Sequence, residues 1–405
     1  MKIIREKATA ARILKCAKDA AQSHMKGDHP AGQSTRKPRL FTPFTLRGLE
    51  LPNRIVVSPM NQYSGDAQGR ATDWHLMHLG HLAISGAGLL FTEAIAVEPE
   101  GRISPTDIGL WNDEQIEAMR RIVAFCRTYG TAKLGAQFCH SGRKGSVSVA
   151  WEGLKPIPVE RGGWRIWSPS SIPHAGRLAP AVLDDAGIRR VIKAFADNAI
   201  HADRIGFDVI EIHAAHGYLL HSFLSPFANQ RSDQYGGTPA KRMRMVLEVF
   251  QAVRDAVAPE KPVGVRISAT DWAEGGWNID DSVELTAKLK DLGCDYITAS
   301  SGGVTHEQQL NVYPGYQVPF AERIRRATGI ATMAVGLITE PQHAEEILGS
   351  GRADLIALAR GMLLDPRWPW RAALEFGVPF SFPKQYERAH PAMRFGDFLN
   401  PNLPA

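Results

Sequence analysis

Residues 208–218 read Asp-Val-Ile-Glu-Ile-His-Ala-Ala-His-Gly-Tyr. The first six form a short β-branched run, and runs of this near-continuously apolar kind belong to strands covered on both faces. Helix-length amphipathic segments flank it at 185–205 and 238–257. The same alternation runs outward in both directions. Strand candidates precede it at 54–58 (RIVVS), 88–92 (GLLFT) and 133–138 (KLGAQF), and follow at 263–268 (VGVRIS), 295–300 (DYITAS), 331–335 (ATMAV) and 354–359 (DLIALA). Further helical stretches fall at 74–86, 113–129, 280–291, 317–328 and 340–349, with a last one near 369–376. Eight strand–helix units predict an α/β fold, a (β/α)8 TIM barrel, rather than an open doubly wound sheet. No G-x-G-x-x-G follows the first strand, which weakens the dinucleotide-binding alternative. The stretch 143–182, with Trp151, Trp164, Trp167 and many prolines, is too long for a simple loop. It is expected to form a lid-like excursion after strand 3.

The chain has 405 residues, 44% hydrophobic and 22% charged, with a net charge of +5. This is the composition of a folded globular protein, and no run approaches the roughly 18–20 apolar residues of a membrane span. The excess of positive charge, which would suggest a nucleic-acid partner, is confined to one end. Residues 1–39 carry ten basic against three acidic side chains, leaving 37 basic and 39 acidic in the remainder, a net of −2. Residues 1–38 are therefore read as a basic N-terminal extension and 39–405 as the barrel with a C-terminal tail. Within the extension, 4–25 reads as a lysine- and alanine-rich helix and 27–38 as a Gly/Pro linker. A packing extension, a solvated arm, a true start at Met25 or later, and an organellar transit peptide are all open readings. Cys16, Cys126, Cys139 and Cys294 are widely spaced, without CxxC or finger-type histidines. Reduced thiols and a cytoplasmic location are the default expectation, with no structural metal.

In such a barrel the chemistry sits in the loops after the strands' carboxyl ends. Strands 6, 7 and 8 end in Ser-Ser-Gly-Gly, Val-Gly and Ala-Arg-Gly, small residues that let backbone N–H groups approach a phosphate, with Arg360 as a fixed charge. Gln137 and Arg266, pointing inward from strands 3 and 5, suggest a phosphorylated cofactor with a polar ring across the barrel top. His213 and His216 admit three readings: a zinc pair without further ligands, a structural imidazole pair, or a two-donor clamp on a substrate oxygen with Tyr218 placed to deliver a proton.

The segment 211–237 (EIHAAHGYLLHSFLSPFANQRSDQYGG) closely resembles the old yellow enzyme family of FMN-dependent ene-reductases. The resemblance runs from about Leu40 to Arg388, through EAIAVEPEGRIS, HSGRKG, VRISA, NVYPGYQVPFAERIR and GRADLIALARGMLLDP in order. It is strongest to the thermophilic-like and xenobiotic reductase subclass. It implies tightly but non-covalently bound FMN, with NAD(P)H as hydride donor and electron-poor alkenes as substrates, in an NADPH-dehydrogenase-type ping-pong cycle. Ser58, Pro59, Met60 and Ala94 match residues around the isoalloxazine, Gln137 the residue at its pyrimidine edge, and Arg266 the cation near N1. Ser301, Gly302, Gly336, Ala359 and Arg360 match the phosphate-binding strand ends. His213 and His216 match the oxygen-gripping pair and Tyr218 the proton donor. Tyr63 matches a substrate contact, Lys144 a lysine near the flavin or its pocket, and Tyr313 and Tyr316 aromatic walls. Arg388 matches an arginine that reaches a neighbouring subunit's site, which implies a homodimer or homotetramer.

One position departs from the pattern. After Ser-Pro-Met the subclass carries Cys and other relatives Thr as a donor near flavin O4 and N5; here it is Asn61, whose amide can still donate. Competing readings each lack a feature: a tRNA-modifying FMN barrel its loop cysteine and a basic body, a dienoyl-CoA reductase its cysteine cluster and second nucleotide domain, and a metal-dependent hydrolase its ligands. The intact His/His/Tyr set argues against a non-catalytic flavoprotein. The expected partners are small molecules, with neither nucleic acid nor membrane.

Overall fold

A computed structural model describes residues 37–380 and 382–389. The basic extension, apart from Lys37 and Pro38, and the tail beyond residue 389 lie outside the described residues.

Eight parallel strands close into a barrel: β1 (Ile55–Val57), β2 (Leu89–Ala96), β3 (Lys133–Cys139), β4 (Val209–Ala214), β5 (Val263–Ser268), β6 (Tyr296–Ser300), β7 (Ala331–Ala334) and β8 (Leu355–Leu358), with β8 pairing back to β1. The helices named below are α1 (Asp73–Ala83), α2 (Asp113–Tyr129), α3 (Asp185–Ile205), α4 (Leu219–Leu224), α5 (Pro239–Ala256), α6 (Ile279–Asp291), α7 (Val318–Thr328), α8 (Pro341–Gly349), α9 (Arg360–Leu364) and α10 (Trp368–Glu375). The units read from periodicity recur within a few residues of their expected bounds, because each strand is a largely apolar run and each long helix carries one apolar stripe. Capping fixes the helix ends. On α3, the Asp184 carboxylate accepts from the Gly187 N–H at 2.7 Å, and Gly206 closes the other end in the left-handed region.

Several short elements were not legible in the periodicity. An antiparallel hairpin, Phe44–Leu46 with Leu49–Leu51, places the buried Leu46 and Leu51 against Val56, Leu89, Val209, Tyr296, Met333 and Leu355 inside the barrel. Each such leucine contributes about 1.5–3 kcal/mol through burial. Short α4 and α9 follow β4 and β8. Bulky and empty positions alternate inside the barrel: a Cβ on Gly264 would lie 2.3 Å from the Tyr296 ring, and one on Gly135 2.4 Å from Phe91.

The excursion is built from three single 3-10 turns and a two-residue parallel ladder, Trp167–Ser168 with Ala181–Val182. It is tied to the β6 loop, since Arg143 Nη2 donates to the Val304 carbonyl at 2.5 Å. It also reaches the β1 loop, where Trp151 meets the Tyr63 ring edge-on at 5.9 Å. Among the described residues no helix is long and apolar enough to cross a membrane.

Candidate active site at the barrel mouth

The upper floor of the barrel interior is polar. Strand register sets Gln137 beside Glu211 and Arg266 beside both His213 and Thr298. Gln137 Nε2 donates to one Glu211 oxygen at 2.7 Å and the Thr298 hydroxyl to the other at 2.5 Å. Burial pushes the Glu211 carboxyl above its usual range, against the opposing pull of the Arg266 charge. Arg266 is 8% exposed and its Nε has no hydrogen-bond partner. An unsatisfied buried guanidinium of this kind is costly unless something docks on it.

Above this floor the chain turns sharply after β4. His216 has φ +59°, a left-handed conformation rare outside glycine, and its backbone is fixed from two sides. Its N–H donates to Ser268 Oγ at 2.9 Å, and its carbonyl accepts from Lys144 Nζ at 2.8 Å. Gly217 and Gly303 permit this approach, because a Cβ on Gly217 would lie 2.2 Å from the Gly303 carbonyl oxygen. His213 Nδ1 accepts the Ala215 N–H at 3.1 Å, and its Nε2 lies 3.1 Å from His216 Nδ1. Burial, then the Arg266 charge, holds both imidazoles well below the ordinary histidine value, so both are neutral. The Tyr218 ring stands edge-on to His213 at 5.0 Å, with Lys144 Nζ 5.2 Å from its centroid. Burial keeps the Tyr218 hydroxyl well above its usual value, hence protonated, and it makes no hydrogen bond among the described residues. Burial pushes the Lys144 ammonium down to about 8, with Arg177 and Arg143 adding to the effect.

Beside the floor, a cavity of about 190 Å³ brings Arg266, Gly336, Ala359 and Arg360 together with Ser300, Tyr316 and Gln317. Arg360 is exposed and makes no ion pair among the described residues. Ser300, rather than Ser301 or Gly302, lines this cavity. Ser301 Oγ donates to Gln317 Oε1 at 2.6 Å, and the Gly302 N–H is taken by the Thr270 carbonyl at 2.8 Å. The N–H of Gly302 is therefore spent inside the protein.

The β1 loop crosses the mouth on the other side. Glu93 pins it, taking the Gln62 N–H at 3.0 Å and pairing with His75 at 2.8 Å at the start of α1. Ser58 is buried with an unpartnered hydroxyl, and Pro59 and Met60 are half-buried. Asn61 Oδ1 accepts the Ala94 N–H at 3.3 Å. Tyr63, at φ +51°, joins His216, Trp272 and Leu337 as left-handed non-glycine residues in loops after barrel strands. Such a concentration of backbone strain marks functional loops.

Most of the expected site residues therefore converge; besides Ser301 and Gly302, Tyr313 and Arg388 stand apart. Tyr313 is 46% exposed on the rim, touching Tyr316 edge-on at 6.5 Å. Arg388 is exposed on a turn (Lys384–Ala389) whose Tyr386 packs on Trp370 and lines an outer groove with α1 and α2, so the chain does not bring it to its own site. Sequence reading missed Glu211, Thr298, Ser300 and Gln317, and also Arg177 of the excursion, whose charge lies beside Tyr218 and Tyr63 and whose Nη1 is unpartnered. For Glu211 a signal existed: a lone carboxylate inside an apolar strand, two residues from His213, demands a buried cation.

A profile described as the NADH:flavin oxidoreductase / NADH oxidase family matches residues 39–376. An NADPH dehydrogenase of Geobacillus thermodenitrificans (strain NG80-2) is 46% identical over 351 residues, 86% of this chain and 98% of that protein. Its counterpart in Geobacillus sp. (strain WCH70) is 44% identical with the same coverage. Among solved structures, morphinone reductase superposes with a TM-score of 0.70 at 25% identity, covering 86% of this chain and 92% of that one.

Proposed function

Because this chain belongs to the NADH:flavin oxidoreductase / NADH oxidase family, an FMN-dependent group of NAD(P)H oxidoreductases, we propose that it reduces the C=C bond of electron-poor alkenes: enones, enals, maleimides and nitroalkenes. The observation that carries this reading is the neutral, rigidly held pair His213 Nε2 and His216 Nδ1, 3.1 Å apart beneath a protonated Tyr218.

The residues present fit FMN. The unpartnered Arg266 Nε and the cavity joining Gly336, Ala359 and Arg360 would supply a cation for an electron-rich ring and a seat for a phosphate. Gln137 would hold the ring's polar edge, and Ser58, Pro59, Met60, Asn61 and Ala94 its flank. A bound FMN would supply the hydride transfer between NAD(P)H and the second substrate. The chain's own part is orientation and electrostatics. Both imidazoles grip the carbonyl or nitro oxygen and stabilise the negative charge that builds there. Tyr218 donates its proton to Cα, and Tyr63 closes the mouth beside the substrate. NADPH and alkene occupy this mouth in succession, which makes the kinetics ping-pong. Arg388, outside the chain's own site, would serve a neighbouring subunit's in a homodimer or homotetramer.

Anaerobic reduction with NADPH followed by addition of cyclohexenone or maleimide tests the reading. Reoxidation by either supports it, and failure of both removes the ene-reductase assignment. Because the imidazoles are neutral, kcat/KM should stay level from about pH 5.5 to about pH 7.5, below the titration of Lys144. Activity that declined as pH rose through the ordinary histidine range would mean a cationic clamp instead. Asn61 allows a further expectation. Its carbonyl is committed to the Ala94 N–H, which leaves the amide N–H₂ as the donor toward flavin O4 and N5. Asn61→Cys should therefore shift the FMN midpoint potential measurably, and identical potentials would remove Asn61 from that role.

A further inference from the structure

We propose that Ser300 sets the tautomer of His216 and thereby decides whether the histidine pair is open or closed to an oxygen acceptor. The inference rests on the clamp reading above and adds a positioning residue to it.

The protons can be assigned around the network. His213 Nδ1 accepts the Ala215 N–H, so in the neutral ring the proton sits on Nε2, facing His216 Nδ1 at 3.1 Å. The other nitrogen of His216, Nε2, lies 2.7 Å from Ser300 Oγ. Two arrangements satisfy these contacts. In the closed one His213 donates to His216 Nδ1, His216 Nε2–H donates to Ser300, and the serine proton turns to Gln317 Oε1 at 3.3 Å. In the open one the Ser300 hydroxyl donates to His216 Nε2, the ring carries its proton on Nδ1, and two N–H donors face one point. That form is satisfied only when an acceptor sits between them: a carbonyl or nitro oxygen, or a phenolate.

Ser300 biases this choice toward the open form. Its closed-state acceptor is poor, because Gln317 Oε1 lies 3.3 Å away, long for an O–H···O bond, while the Ser301 hydroxyl holds the same oxygen at 2.6 Å. His216 cannot evade the choice by moving, since Ser268 and Lys144 fix its backbone. Passing from closed to open, Nε2 gives its proton to solvent water and Nδ1 takes one from it, while the hydroxyl keeps its own and rotates. Net charge is unchanged.

The test is ¹⁵N NMR of the histidine-labelled holoenzyme with and without p-hydroxybenzaldehyde, for the parent, Ser300→Ala and Ser300→Thr. With the phenol bound, the parent should show His216 protonated at Nδ1 and bare at Nε2. Ser300→Ala should reverse this and weaken phenol binding roughly tenfold, the scale of one charge-assisted hydrogen bond, while Ser300→Thr restores both. If Ser300→Ala fails to retain flavin, Ser301→Ala serves instead: it frees Gln317 Oε1 for the Ser300 proton and should shift His216 toward Nε2–H. An Nδ1–H tautomer and parent-like affinity in the variant overturn the proposal. Phenol binding unaffected by His213→Ala and His216→Ala would instead overturn the clamp reading itself, and the spectra would still report the tautomer.

Discussion

His213→Ala should lower kcat/KM for cyclohexenone by about 10²–10³-fold, the usual cost of one preorganised donor at a developing oxyanion, with FMN retained. The size follows from preorganisation. Nε2–H is aimed by the Ala215 N–H on the ring's other nitrogen, the ring is buried, and the imidazole stays neutral, so the donor is held in place without a change of charge. His216→Ala should cost a similar factor, since its turn is held by Ser268 and Lys144. The double variant should lose less than the product of the two, because both donors act on one oxygen. Steady-state kinetics with flavin quantified by absorbance give the answer. A drop under threefold in both single variants would show that the pair is structural.

Arg266→Ala should yield a protein that loses FMN and melts below the parent, because a buried partner carboxyl loses the cation that opposes its desolvation. Glu211 is that partner, 1% exposed and hydrogen-bonded by Gln137 and Thr298. Two signatures separate this from general damage. Burial already raises the Glu211 carboxyl, and losing the cation raises it further. The folded variant then binds a proton that the unfolded chain releases, so its stability should fall as pH rises above the ordinary carboxylate range. The double variant Arg266→Ala/Glu211→Gln removes the stranded charge and should recover much of the melting temperature without recovering the flavin. A single variant that keeps one FMN per chain and melts near the parent would sink both the pairing and the flavin seat.

The alternation of strands and helices was legible because each element's period is written in neighbouring residues. Apolar runs such as 263–268 coincide with a barrel strand, and 113–129 and 185–205 coincide with helices. His213, His216 and Tyr218 were legible for the same reason, since one turn carries all three. The segregation of basic charge into residues 1–39 was likewise plain in the sequence, and it left the barrel body close to neutral. The tertiary structure decided everything that depends on closure. Gln137, Glu211, Arg266 and Thr298 come from four strands, and only the barrel register stacks them into one polar floor. Ser300 lies 84 residues from His216 yet 2.7 Å from its ring, while Arg388 ends up exposed outside the chain's own site. Sequence carries local periodicity; which distant side chains meet is fixed by strand pairing around the closed sheet, which no local window contains.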